Sequence, residues 1–378
     1  MRILHVIDTL GPGGTEHSLL HLLRVFRTRH EVEVCVLGPP YTLAESFESL
    51  GIPVHRLGFE TPRDWPSALA RLRRVTQRRF DVVRAHLFQA TLAVALVTPR
   101  SALRVVSFHG LDYDAFPATT PARRIRKRLH EAIVHRYDGW VGISEAVARH
   151  FETELRLSRV QVVHNPFPID ELVPEKMRPA ADVRAQFNVA SDAFLLVMPA
   201  RFSPEKGHDV LFAALRLLKD QGRLPRVLCF GHGVLRSAYA KNSEALGLSN
   251  VSSFDRIPQH EVYSVIHAAD AVTLPTPLGE GFGRATAEAM ALGKPVITAR
   301  AGGSLDFVKH DQTGLLVRPN DAQDLACAIA RLMDDAELRA RLGNAAAKLV
   351  RTQFNVDIIV NRWEGYFGAL LRERNKLC

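Results

Sequence analysis

Along the chain, short runs of apolar residues alternate with longer stretches in which apolar positions recur every three or four residues. The short runs read as buried strands and the longer stretches as helices packed over them. In the first half the strand candidates are Ile3–Ile7, Val32–Leu37, Val54–Arg56, Val82–Ala85, Val105–Phe108, Gly139–Ile143 and Val160–Val163. Helices fill Thr15–Arg29, Ala44–Leu50, Trp65–Arg78, Ala90–Thr98, Ala122–Tyr137 and Glu145–Leu155. Residues 166–180 contain four prolines and read as an interdomain linker. A second alternation follows, with strands at Leu195–Ala200, Val227–Phe230, Val251–Phe254, Ala271–Leu274, Pro295–Thr298 and Gly314–Val317. Its helices fall at His208–Gln221, Arg236–Leu246, His260–Ala268, Arg284–Leu292, Asp321–Met333 and Ala336–Arg351, and an amphipathic segment, Val356–Arg374, ends the chain. Strands that alternate with helices imply parallel sheets, so the expected class is α/β, with two doubly wound, Rossmann-like parallel-sheet domains facing a central cleft. In such sheets ligands bind beyond the carboxyl ends of the strands, so the informative residues are those just after each strand.

Composition narrows the classes. The 378 residues are 47% hydrophobic and 24% charged, enough apolar material for two cores and too much for a disordered chain. No apolar run approaches the roughly 20 residues that a bilayer-spanning helix needs. The opening residues, MRILHVID, read as a strand and lack the apolar core and cleavage site of a signal peptide. Cys35, Cys229, Cys327 and Cys378 form no CxxC pair and are expected as buried, reduced thiols of a cytoplasmic protein.

Charge is concentrated. Residues 61–136 carry fifteen Lys and Arg against five acids, a surplus larger than the net +9 of the whole chain. Within Ala122–Tyr137, the residues Ile125, Leu129, Ala132, Ile133 and Tyr137 line one helical stripe. Arg123, Arg124, Arg126, Lys127 and Arg128 cover the other faces. Such a helix is either a solvated face or a surface drawn to anionic lipid headgroups or an anionic acceptor. Few aromatics interleave with the cations and no nucleic-acid module is present, so nucleic acid is not expected as a partner.

Three stretches carry chemistry. The turn Gly11-Pro12-Gly13-Gly14-Thr15-Glu16 follows the first strand and opens a helix, as either a plain tight turn or a cradle of amides for a phosphate. Arg201 and Lys206, in RFSPEKGHD, flank a turn after a strand, where two cations suit a diphosphate. In 280–293, Glu280 follows a strand, Gly281 and Gly283 permit close approach of backbone to ligand, and a helix begins near Arg284. Glu288 lies one turn inside that helix. Two carboxylates around an anion-binding helix start suit a ligand that joins phosphates to sugars. The alternative is an i,i+4 pair of Glu288 with Arg284, with Glu280 a surface acid.

Those residues resemble the retaining glycosyltransferases of family 4, which have the two-domain GT-B fold. The likeness rests on the E-x7-E spacing of Glu280 and Glu288 within EGFGRATAEAMALGKPVITARAGG. It also rests, in order, on GGTE at 13–16, SFHG at 107–110, GISEAV at 142–147, HNPFPID at 164–170, RFSPEKGHD at 201–209 and TGLLVRPND at 313–321. The resemblance implies an N-terminal, acceptor-binding domain over 1–170, a nucleotide-sugar-binding domain over 171–355, and a C-terminal helix, 356–378, that packs back on the first. It implies that Gly13 and Gly14 lie over the donor diphosphate and that His109 hydrogen-bonds the transferred sugar. Arg201 and Lys206 hold the diphosphate. Glu280 binds sugar hydroxyls beside the Phe282 and Gly283 amides at the helix start of Arg284, and Glu288 binds the ribose. Asn165 lines the cleft, and Ile257 lies near the base. Departures from the family pattern are Ala200 for Gly, Asn165-Pro166 for Asn-Gly, and Phe254-Asp255-Arg256 for Phe-x-Gly.

The implied activity is transfer of a hexosyl group from a nucleotide-diphosphate sugar, such as a UDP- or GDP-sugar, to a hydroxyl on a glycan or lipid-linked acceptor. Retained anomeric configuration and no metal or other cofactor are expected. The setting is bacterial-type cell-surface polysaccharide or glycolipid synthesis, in the cytoplasm or on the inner face of the membrane. Alternatives on the same fold are a nucleotide-sugar epimerase, a phosphorylase or a non-catalytic glycan-binding relative. A dehydrogenase is not expected, because no GxGxxG follows the first strand. Asp112-Tyr113-Asp114 looks like a metal-binding DxD but follows SFHG and reads as a solvated loop. His86 and His164 read as structural.

Overall fold

The computed structural model describes residues 1–115, 117, 119–255 and 257–377. The chain divides into two units, Met1–Phe167 with Phe354–Cys378, and Pro168–Gln353.

In the first unit seven strands form one parallel sheet: β1 (Arg2–Ile7), β2 (Glu31–Val36), β3 (Val54–Arg56), β4 (Val82–His86), β5 (Leu103–Phe108), β6 (Gly139–Gly142) and β7 (Gln161–Val162). Their order is β3-β2-β1-β4-β5-β6-β7. The order reverses between β1 and β4, which pair in parallel with His5 opposite Arg84 and Ile7 opposite His86. β1 is buried over Ile3–Ile7, as a central strand covered on both faces must be.

The C-terminal helix Val356–Leu377 belongs to this unit. Ile359, Val360, Trp363 and Phe367 fall on one face and enter the same core as Ile3, Val105 and Phe26. Each such side chain contributes about 1.5–3 kcal/mol by leaving water. Arg29 and His30, at the end of the Gly14–Arg29 helix, bind Asp357 and Glu364 of the C-terminal helix. No helix among the described residues is long and apolar enough to cross a membrane.

The second unit has six parallel strands: β8 (Leu195–Pro199), β9 (Arg226–Phe230), β10 (Val251–Phe254), β11 (Ala271–Leu274), β12 (Val296–Ala299) and β13 (Leu315–Val317). Their order is β10-β9-β8-β11-β12-β13, with the reversal between β8 and β11. Both units are therefore doubly wound α/β sheets. Pro174–Lys176 in the proline-rich stretch forms a single 3-10 turn, and a helix, Ala180–Gln186, follows it.

Three expectations need correction. The basic helix spans Pro121–Val134, and its apolar stripe is only partly covered: Ile133 is buried, but Ile125 is 67% and Leu129 41% exposed. The residue period thus gave the face without the burial. Asp112-Tyr113-Asp114 is solvated at both aspartates but is not a loop. It forms a helical turn whose Tyr113 backbone N–H donates to His150 (3.2 Å) and whose Tyr113 hydroxyl meets His130 (2.8 Å). Cys35 and Cys229 are buried free thiols, but Cys327 is exposed, and Cys378 lies outside the described residues.

Candidate active site

The reversal of strand order in the second unit brings two loops together. The loop after β8 carries Arg201 and Lys206, and the loop after β11 carries Glu280. Gly207 has φ +82°, and a Cβ there would lie 2.3 Å from the Pro275 carbonyl oxygen, so only glycine lets the loops approach this closely. Across the junction Lys206 Nζ donates to Glu280 Oε1 at 2.7 Å, and the Thr276 hydroxyl donates to the same oxygen at 3.2 Å. Both charged side chains are largely shielded, at 14% and 22% exposure. The Glu280 backbone is held as well, since its carbonyl accepts from Gly303 N–H (2.7 Å) and it bridges Gly302 in the loop after β12.

Arg201 behaves differently from Lys206. Its side chain is 56% exposed and pairs with Glu205 Oε1 at 3.2 Å. Burial raises the Glu205 carboxyl, but the Ser203 hydroxyl, its own amide and the charges of Arg201 and Lys206 outweigh this and hold it low. Lys206 is thus held by Glu280 and Arg201 by Glu205, the first pair shielded and the second more exposed.

Phe282 is buried against Phe307, with ring centroids 5.2 Å apart. Gly283, at φ +88°, is the N-cap of the helix Arg284–Ala291 and brings no capping side chain of its own. One turn in, Glu288 is buried (3% exposed). Its Oε1 accepts from Arg284 Nε at 2.7 Å and from the Tyr263 hydroxyl at 3.2 Å. The i,i+4 pair weighed as an alternative does form, and Tyr263 completes it. Sequence reasoning missed Tyr263, which lies 25 residues away on the Gln259–Ala268 helix. Ile257 follows β10 and is half-buried, while Arg256 lies outside the described residues.

In the first unit the loops after β1, β4 and β5 surround a pocket of about 130 Å³, lined by Thr15, Phe88, Ser107, His109, Asp112 and His130 among others. Gly13 caps the helix Gly14–Arg29, and a Cβ on it would lie 2.3 Å from Glu16 Oε2. Glu16 folds back under the turn, where burial raises its carboxyl despite the Thr9 hydroxyl. At Gly14 an added Cβ would meet nothing within 4 Å. Asn165 is half-buried in the loop after β7. His164 packs on Phe354, consistent with a structural part.

Sequence reasoning also missed what supports His109. Its Nε2 lies 3.0 Å from His86 Nδ1, and His86 Nε2 lies 3.2 Å from His5 Nδ1. Burial, with Arg84 nearby, holds His109 at about 3 and keeps all three rings neutral. The Arg84 guanidinium rests 3.6 Å from the centre of the Trp363 ring, and its Nε donates to the Ser107 hydroxyl at 2.8 Å. Asp8, just after β1, accepts from Ala90 N–H (2.6 Å) and Gln89 N–H (3.3 Å), capping the helix Leu87–Val97. That helix starts at Leu87 with φ +69°, a left-handed conformation a branched residue rarely adopts. Burial raises Asp8 to about 6 against the pull of those amides and Arg126.

Comparisons with known proteins fit this geometry. The family profile described as Glycosyltransferase Family 4 matches residues 12–171, and that described as Glycosyl transferases group 1 matches 180–349. Between them they take in both units, and the chain belongs to this family of GT-B-fold glycosyltransferases. Among curated relatives, a D-inositol 3-phosphate glycosyltransferase of Corynebacterium glutamicum is 32% identical over 201 residues, 51% of this chain and 48% of the relative. A lipopolysaccharide 1,2-N-acetylglucosaminetransferase of Salmonella typhimurium is 26% identical over 231 residues, 58% of this chain and 59% of the relative. The match thus spans about half the length of these relatives. Among solved structures, Anabaena HepE in complex with UDP shares the fold, with a TM-score of 0.85 and 23% identity over 98% of this chain and 100% of that one.

Proposed function

We propose that the protein transfers a hexosyl group from a nucleotide-diphosphate sugar to a hydroxyl acceptor, retaining the anomeric configuration and using no metal. The observation that carries this is the Lys206–Glu280 pair at the β8/β11 switch point, in the loop that leads into the Arg284–Ala291 helix. It sets a fixed cation and a fixed hydroxyl acceptor at the carboxyl ends of adjacent strands, where a doubly wound sheet binds ligands. Structures of similar fold were solved in complex with UDP and with UDP-glucose, which makes a uridine nucleotide the first donor to try.

In the proposed reaction the bond from the anomeric carbon to the β-phosphate oxygen breaks and the bond to the acceptor oxygen forms on the same face. The acceptor proton passes to the departing phosphate oxygen. The sugar becomes cation-like and the diphosphate gains charge, so catalysis needs positive groups at the phosphates more than a strong base. Lys206, Arg201 and the start of the Arg284–Ala291 helix supply them. Glu280 accepts from sugar hydroxyls once the phosphate has drawn Lys206 towards itself. Glu288, already fixed by Arg284 and Tyr263, accepts from the ribose, and Ile257 lies towards the base.

The acceptor is proposed to be a glycan or lipid-linked, in cell-surface polysaccharide or glycolipid synthesis. The Pro121–Val134 helix supports a peripheral place at the cytoplasmic membrane face, because it exposes Ile125 and Leu129 among Arg123, Arg124 and Arg128.

The test is to follow donor cleavage by NMR with excess chelator present. In the absence of acceptor, the sugar first released to water should carry the donor's anomeric configuration, at an undiminished rate. Release of the opposite anomer, or loss of activity with chelator, would refute this reading.

A further inference from the structure

We propose that His5, His86 and His109 form a single hydrogen-bonded register in which all three rings carry their proton on Nδ1, so that His86, anchored by His5, is a positioning residue that presents His109 as a donor. The contacts run from Nδ1 to Nε2 twice in succession: His5 Nδ1 to His86 Nε2 at 3.2 Å, and His86 Nδ1 to His109 Nε2 at 3.0 Å. A neutral imidazole has one N–H and one lone pair. If His86 carries its proton on Nδ1, it donates to His109, whose own proton must then sit on Nδ1. Its bare Nε2 must meanwhile accept from His5, whose proton must also sit on Nδ1. The opposite choice forces all three protons onto Nε2. Two bonds therefore leave two states, and no mixed state keeps both.

The ends of the register select between them. His5 Nε2 and His109 Nδ1 are buried and without a hydrogen-bond partner. His5 is fully buried in the sheet, opposite Arg84. With every proton on Nδ1, the inner orphan is a lone pair, which a neighbouring cation favours. The other state would bury an unpaired N–H beside that cation. Each state leaves one N–H without a protein partner, and an orphaned N–H is costly: the second state sets it at His5, deep in the sheet opposite Arg84, and the first at His109, in the wall of a pocket where a ligand can accept it. The outer end then offers an N–H at His109, a ring that lines the first unit's pocket together with Thr15, Ser107 and Asp112. A sugar hydroxyl or a phosphate oxygen can accept it, whereas a bare nitrogen could meet only the hydroxyl and would repel a phosphate oxygen. That use of the N–H rests on the functional reading above. The register itself does not.

The register can be read on the ligand-free chain, so its failure is separable from failure of the transferase reading. Long-range 1H–15N correlation of the 15N-labelled protein distinguishes the two protonated nitrogens of each ring, with His5→Phe, His86→Phe and His109→Phe giving the assignments. The expected spectrum has all three rings protonated on Nδ1. In His86→Phe the His109 ring is released from the register and should populate the Nε2-protonated form. In His86→Gln the amide can accept from His5 and donate to His109, so His109 should keep its Nδ1 proton. Should His86→Phe not fold, the wild-type spectrum and His86→Gln carry the test. Protons on different nitrogens in the three wild-type rings, all three on Nε2, or an imidazolium would overturn the proposal. So would an unchanged His109 in a folded His86→Phe.

Discussion

Lys206→Met is the substitution with the most to say about the second unit. Lys206 Nζ and Glu280 Oε1 are 2.7 Å apart and both side chains are largely shielded. Their Coulomb attraction lies between about 1.5 and 6 kcal/mol for effective dielectric constants of about 80 and 20, and desolvation offsets much of it. A diphosphate competes with Glu280 for the same ammonium. Losing one charge-assisted hydrogen bond to phosphate costs about 1.5–3 kcal/mol, or roughly a 10- to 150-fold rise in Kd. Glu280→Gln should act in the opposite direction on a bare nucleotide, leaving UDP affinity equal or higher, because the amine no longer has a carboxylate to give up. The double variant should return to the Lys206→Met value. Isothermal titration with UDP, GDP and ADP, taking whichever binds the wild type best, reads all four proteins. Lys206→Met binding that nucleotide within threefold of wild type would refute the reasoning, as would a Glu280→Gln that binds it tenfold more weakly.

Other consequences are independent of the nucleotide. Gly207→Ala must place a Cβ 2.3 Å from the Pro275 carbonyl at φ +82°, and urea unfolding should show a loss of about 2–4 kcal/mol. Asp8 is raised from 3.8 to about 6 in the folded chain, so its contribution to stability is present below pH 4 and lost as pH rises through 6. Asp8→Asn, which still caps Ala90, should therefore gain on wild type by about 1–3 kcal/mol between pH 4 and pH 7, and parallel pH profiles would contradict this. On vesicles of anionic phospholipid, neutralising Arg123, Arg124, Arg126, Lys127 and Arg128 should abolish flotation, at about 1 kcal/mol per charge near the surface. Equal flotation would remove the membrane from the account.

The strands were legible because buried parallel strands leave short apolar runs, and β1, β8 and β11 are such runs. The loops that follow them were legible for the same reason, since the fold class says where ligands bind. Glu280 and Glu288 stood out by spacing and by the glycines between them. Partnerships across strands were not legible. Nothing local in the sequence pairs His5 with His86, or Glu288 with Tyr263, because register and side-chain reach decide those contacts. The Pro121–Val134 helix shows the converse limit: a stripe at helical spacing identifies one face, and what covers it depends on neighbours far along the chain. Ile125 and Leu129 lie on the stripe and remain exposed, while Ile133 finds the core. The Asp112–Ala115 turn was misread because His150, the residue that orders it, comes from a different helix.

The claim on which the rest depends is that the second unit grips an activated sugar by its pyrophosphate. The direct measurement is thermal unfolding of the wild type and of Lys206→Met against a panel of nucleotide sugars and the matching free sugars, without divalent metal. At least one nucleotide sugar should raise the wild-type Tm in a saturable way that follows RT ln(1 + [L]/Kd), with a much smaller rise in the variant and none from the free sugar. A panel that leaves the wild type unmoved, or a rise that survives intact in Lys206→Met, would contradict it.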